Sequence, residues 1–98
     1  MVEHIVMWNV MDEFKDDKEA VCRQVKESLE ALDHEVPGII SIKVVINDIQ
    51  SSNKDIALIS RFESVEALNA YQVSDGHVKA GKYVKSHLCD RSCLDYQF

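Results

Sequence analysis

The feature that most limits what this chain can fold into is the two-sided apolar character of its β-prone segments. His4–Val10 places Ile5 and Met7 on one face and Val6 and Trp8 on the other. Ile39–Ile46 sets Ile40, Ile42, Val44 and Ile46 against Ile39 and Val45, and Ile56–Phe62 sets Ile56, Leu58 and Phe62 against Ala57 and Ile59. Side chains alternate across a strand, so a sheet covered by helices on one side should read apolar then polar. These strands do not, and both faces ask for cover. A bare apolar sheet face of several hundred Å2 exceeds what monomers usually expose. A homodimer packed sheet face to sheet face meets the demand; the plainer alternative is a monomer with a greasy sheet.

The remaining segments supply one layer of helices. From Lys18 the apolar positions are Val21, Val25, Leu29, Leu32 and Val36, a single helical stripe that Pro37-Gly38 stops. Asp12, Glu13, Asp16 and Asp17 precede it, at the positive end of the helix dipole. Asn47–Asp55 reads as a polar loop. Ser64 reads as the cap of a second helix with Glu66 in its first turn, and Val65, Ala67, Leu68 and Tyr71 mark its buried side. Ser74-Asp75-Gly76 is expected to end that helix, and His77–His87 forms a third helical segment. Cys89–Phe98 closes the chain as a strand with Leu94, Tyr96 and Phe98 on one face. The order β-α-β-β-α-β predicts an α+β, ferredoxin-like protomer with a four-stranded antiparallel sheet. Ninety-eight residues make it one domain, residues 1–98.

Several functions are disfavoured by composition. The formal charge of −6, with no local Lys/Arg cluster, repels phosphate backbones and anionic lipids, so neither nucleic acid nor membrane is an expected partner. No apolar run approaches the ~20 residues needed to span a bilayer, and no signal-peptide pattern opens the chain; the expected location is the cytosol. Three cysteines fit reduced thiols. Cys89 and Cys93 lie roughly 13 Å apart along an extended strand, too far for a disulfide. Four scattered histidines lack metal-ligand spacing, so no metal is expected. His34 and His87 read as solvated helix ends. No Gly-rich phosphate loop or Ser-nucleophile motif is present, and no cofactor is expected.

Chemistry is concentrated in the stretch Arg61–His77. His77 titrates near neutral pH and could act as a base. The Tyr71 hydroxyl could donate to a developing enolate, and six residues across a helix end allow the two to converge. The structural alternative makes His77 a helix cap and Tyr71 a core residue. His4 could line a pocket with Val6 and Trp8, or stand as a partly exposed strand end beside a core Trp8.

His4-Ile-Val-Met7, Val36-Pro-Gly-Ile39, Ser60-Arg-Phe-Glu-Ser-Val-Glu-Ala-Leu-Asn-Ala-Tyr71, Gly76-His-Val78 and Asp95-Tyr96 resemble the stress-responsive A/B barrel domain (Dabb) family over essentially the whole chain. The resemblance implies a ferredoxin-like protomer whose sheet forms an α+β barrel with a second copy. Family members include plant stress proteins and a polyketide cyclase that works by aldol condensation. That cyclase's acid/base Tyr and His fall on Tyr71 and His77, and a His of its first strand falls on His4. The chain departs where a further pocket histidine is replaced by Ile56, where Ser74-Asp75-Gly76-His77 stands for His-Pro-x-His, and where Val21, Cys22 and Val25 replace an aromatic lining. The resemblance therefore implies a homodimer of unassigned activity binding a small apolar molecule. Its alternative is a cofactor-free cyclase-like enzyme with His77 as base and Tyr71 as acid. A monooxygenase reading rests on fold analogy alone.

Overall fold

The computed structural model describes residues 1–98. Four strands and three helices follow one another as β1 (Val2–Val10), α1 (Lys18–Glu30), β2 (Ile39–Ile46), β3 (Ile56–Phe62), α2 (Val65–Gln72), α3 (Asp75–His87) and β4 (Leu88–Gln97). The sheet order is β2-β3-β1-β4, with every neighbouring pair antiparallel. Each βαβ crossover leaves a gap that a strand of the other unit fills, as the ferredoxin-like pattern requires. The sheet stays open, with β2 and β4 as its edges.

The pleat decides which side chains meet the helices. Val2, His4, Val6, Trp8 and Val10 of β1 are all buried, beside Ile42 and Val44 of β2 and Ile56, Leu58, Ser60 and Phe62 of β3. Val21, Cys22, Val25 and Leu29 of α1 cover them, with Leu68 and Tyr71 of α2 and Ala80 of α3. The opposite sheet face has no such cover: Met7, Val45, Leu94 and Tyr96 keep 37%, 39%, 59% and 42% exposure. The two-sided apolar pattern is therefore real, and one protomer satisfies half of it. On this open face the Tyr96 hydroxyl donates to Glu3 Oε2 at 2.6 Å, and the Arg61 guanidinium lies 5.0 Å from the Phe98 ring centroid.

The edge strand β2 is blunted by α1. Val44 N–H donates to Glu30 Oε2 at 2.9 Å, and Lys26 Nζ donates to the Val44 carbonyl at 2.9 Å. This pair occupies backbone groups that an incoming strand would otherwise use. Where the chain enters β2, Gly38 adopts φ +88, which L side chains rarely tolerate. A Cβ there would stand 2.6 Å from Ala67 Cβ, so the residue also sets how closely α2 approaches.

Several sequence expectations shift in register. Ser74-Asp75-Gly76 follows the end of α2 at Gln72 but also starts α3, two residues before the expected His77, because the Ser74 hydroxyl accepts from His77 N–H and caps the new helix. Val65 is 40% exposed, since α2 is too short to bury a wide stripe and leans on Leu68 and Tyr71. Val36 lies beyond α1, which passes into a 3-10 turn over Ala31–His34. Ile40 leaves the helix-side row at an irregularity in the β2–β3 pairing and is 45% exposed. His87 is not a solvated helix end. It stacks on Tyr83 at 3.8 Å and on Phe14 at 4.4 Å, tying the segment before α1 to α3.

Gly38→Ala is expected to destabilise the fold by about 2 kcal/mol, combining backbone strain with the clash at Ala67. Urea unfolding of the two proteins measures it, and an unchanged midpoint contradicts the role given to Gly38.

Candidate functional site

The α2–α3 junction brings the two sequence-nominated rings together through one side chain. Ser74 Oγ donates to the Tyr71 carbonyl at 2.7 Å and accepts from His77 N–H at 3.3 Å. It thus closes the end of α2 and opens α3 at once. The Tyr71 and His77 rings meet edge to face, 4.7 Å between centroids. Tyr71 also packs on Phe62 at 5.1 Å, and Phe62 on His4 at 6.4 Å. Four aromatic rings therefore run from the centre of the sheet to the first turn of α3.

Beside this row lies a cavity of about 580 Å3 between the sheet and α3. Its apolar wall is Val6, Trp8, Leu29, Leu58, Val84 and Leu88. Its polar groups are His4, Gln72, His77, Lys85 and Arg91. His4, Val6, Trp8 and His77 line the cavity; Tyr71 does not, and stands behind His77 in the core. The Tyr71 hydroxyl is buried there with no hydrogen-bond partner. Such an unsatisfied group is uncommon in a core and asks for an explanation.

The electrostatics separate the two rings. Burial pushes the Tyr71 phenol up to about 12, so it stays protonated at neutral pH and can donate a hydrogen bond. Burial lowers the His77 pKa from its ordinary value; the neighbouring His4 lowers it further, and the Gln72 carbonyl opposes them. His77 is therefore neutral at pH 7 and able to accept a proton. His4 is held differently. Its Nδ1 pairs with the Asp95 carboxylate from the adjacent strand, where His4 and Asp95 are register partners. That bond fixes the ring and leaves Nε2 as its other polar atom. His4, Cys93 and Asp95 each present one ligand atom, all within 4.8 Å of one another, and are the group whose composition could hold a metal. The His4–Asp95 hydrogen bond already satisfies two of its three members.

The sequence model of the stress responsive A/B barrel domain matches residues 2–98. The chain belongs to this family. No curated protein sequence matches this A/B barrel protein significantly. Among solved structures, it resembles a dimeric protein of unknown function and ferredoxin-like fold from Bacteroides fragilis. The two are 33% identical, with a TM-score of 0.91 over 99% of this chain and 95% of the other. A dimeric ferredoxin-like protein of unknown function from Thermobifida fusca is 20% identical, with a TM-score of 0.84 over 99% and 90% of the chains. A putative antibiotic biosynthesis monooxygenase from Nitrosomonas europaea is 13% identical, with a TM-score of 0.73 over 100% and 98%. The last two likenesses concern the fold alone.

Sequence reasoning missed the side chains that complete this A/B barrel site. Asp95 stood in the family block without a role, and only the β1–β4 register sets it against His4. Gln72, Lys85 and Arg91 come from three different elements, and no spacing connects them. The helical period could have placed Gly81, Val84, Lys85 and Leu88 near one face, but not over the sheet.

Removing the orphan hydroxyl is expected to help the unliganded protein. Tyr71→Phe should gain about 1 kcal/mol, raising Tm by roughly 5 °C for a domain of this size. A thermal melt that falls instead means the hydroxyl is satisfied in solution.

Proposed function

We propose that this A/B barrel protein works as a homodimer whose cavity binds a small, mainly apolar molecule with a polar end. The cavity carries the reading. Six apolar and five polar side chains line it together, the composition of a small-molecule site. Assembly is supported by the open sheet face, where Met7, Val45 and Leu94 stay exposed, and by the dimeric relative from Bacteroides fragilis.

Two features make binding easy to test. Trp8 is the chain's single tryptophan and lines the cavity. Gly81 also lines it, and a Cβ built there meets nothing within 4 Å. Small apolar compounds that raise Tm should also shift Trp8 emission. Gly81→Leu should fill the space, abolish both responses, and leave the unliganded fold as stable or more so, since glycine inside a helix costs about 0.5–1 kcal/mol relative to alanine. Ligands that bind Gly81→Leu undiminished bind elsewhere, which defeats the reading.

The dimer is tested separately. Light scattering at micromolar concentration should give twice the 11.2 kDa chain mass, and Leu94→Asp should halve it by placing a charge on the open face. A native monomer overturns the assembly.

A second reading is favoured by the Tyr71–His77 contact: cofactor-free acid–base catalysis on an enolisable, polyketide-like substrate. Neutral His77 would take a proton from the carbon next to a carbonyl, and the enolate oxygen would receive a hydrogen bond from Tyr71. The enolate carbon would then attack a second carbonyl, and the new alkoxide would recover the proton from the imidazolium. Tyr71 reaches the substrate only if the wall at His77 opens. On any substrate found, His77→Ala should abolish turnover while preserving binding, and kcat/KM should hold through the ordinary histidine range and fall only at lower pH, because burial lowers the His77 pKa. Turnover that survives in His77→Ala removes the assigned base.

A further inference from the structure

The cavity's charge runs against that of the protein. The chain carries 17 acidic and 11 basic residues, yet the 12 residues lining the cavity include Lys85 and Arg91 and no Asp or Glu. Neither cation is neutralised. The ion pairs to lysine and arginine use Lys18, Arg23, Lys26 and Arg61, and leave Lys85 and Arg91 out. Asp95, the register partner of the lining residue His4, is engaged by it. Both cations also act on His77, where their charge helps to keep the imidazole neutral.

Arg91 owes its place to an irregularity in the backbone. Leu88 faces the helices opposite Val10, and Cys89 faces away opposite Asn9. Simple alternation would then turn Asp90 inward, towards the row of Trp8 and Val6. Instead the β1–β4 register slips between Met7 and Asn9, and Asp90 takes φ 56, a left-handed conformation seldom adopted by residues other than glycine. Beyond the slip, Ser92 stands opposite Met7 and Cys93 opposite Val6. The inward position passes from Asp90 to Arg91. Asp90 is held outside, its carboxylate accepting from Asn9 Nδ2 at 3.2 Å and its carbonyl from Lys54 Nζ at 2.6 Å. Bulges re-aim side chains in this way beside functional sites. Here the bulge exchanges an anion for a cation at the wall of an apolar cavity.

From this arrangement we infer that the cavity selects a carboxylate-bearing amphipathic molecule. Its anionic head sits between Arg91 and Lys85, and its apolar body lies against Trp8, Leu58 and Val84. The inference rests on the binding role proposed above and adds the charge of the ligand. The guanidinium can take a carboxylate through two parallel N–H donors, and Lys85 adds a second positive charge. The neighbouring Trp8, Leu58 and Val84 screen this attraction less than bulk water does, and with no Asp or Glu in the lining no fixed anion competes with the head.

Titration calorimetry of the intact protein with octanoate, octanamide and octylamine tests the assignment, because the three share one chain and differ in head charge. Octanoate should bind about tenfold more tightly than octanamide, with octylamine weakest, and its advantage should shrink as salt is raised. In the double variant Lys85→Glu/Arg91→Glu, octylamine should overtake octanoate. Both positions are on the surface, and the native protein alone already decides the first comparison. Equal affinity for octanoate and octanamide overturns the carboxylate assignment and leaves binding in the cavity intact. Failure of all three to bind the native protein removes both.

Discussion

The packing of Tyr71 between Phe62 and His77 is the contact on which the rest of the structure depends. Phe62 ends β3 and Tyr71 lies in the last turn of α2, so their contact folds the helix back onto the sheet that precedes it. The Ser74 hydroxyl then joins the Tyr71 carbonyl to the His77 amide, and α3 starts in the direction that lays it beside the sheet. A cavity is left where α3 spans the space over β1 and β4 without filling it. Gly81 faces that space, and a bulkier residue would close it. A core contact and a ligand-sized void are thus produced by the same turn of the chain.

Electrostatics divides the molecule into two environments. Its surface is acidic, whereas the cavity wall holds cations and neutral imidazole. The division comes from backbone geometry as much as from composition, since the bulge at Asp90 decides whether an aspartate or an arginine faces inward. Tyr71 and His77 illustrate the same dependence. Burial holds the phenol protonated and keeps the imidazole neutral, so adjacent rings have opposite proton-transfer capacities at pH 7.

Much of the architecture was legible in the sequence because it rests on short-range rules. The four-residue spacing from Val21 to Leu29 and the Ser64 cap each act within a turn or two, and each sits where expected, whereas α1 ends at Glu30, before Pro37-Gly38 is reached. The reading slipped at Ser74, where the residue that closes one helix also caps the next. It slipped again at Val65 and Ile40, whose burial depends on the length of α2 and on a bulge in the β2–β3 pairing. The candidate site was legible in part. His4, Val6, Trp8 and His77 were named from sequence and line one cavity, while Tyr71 stands one layer behind.

By itself, the sequence determined the order of strands and helices, the demand for cover on both faces of the sheet, and membership of the A/B barrel family. These properties follow from periodicity, capping and local motifs, which neighbouring residues carry among themselves. Only the tertiary structure decided that Asp95 holds His4, that Arg91 rather than Asp90 turns inward, and that Tyr71 is sealed behind His77 with its hydroxyl unpaired. Each of these depends on strand register or on packing between residues distant in the chain. A shift of one residue in register moves a side chain to the other face of the sheet, and no local signal fixes that choice.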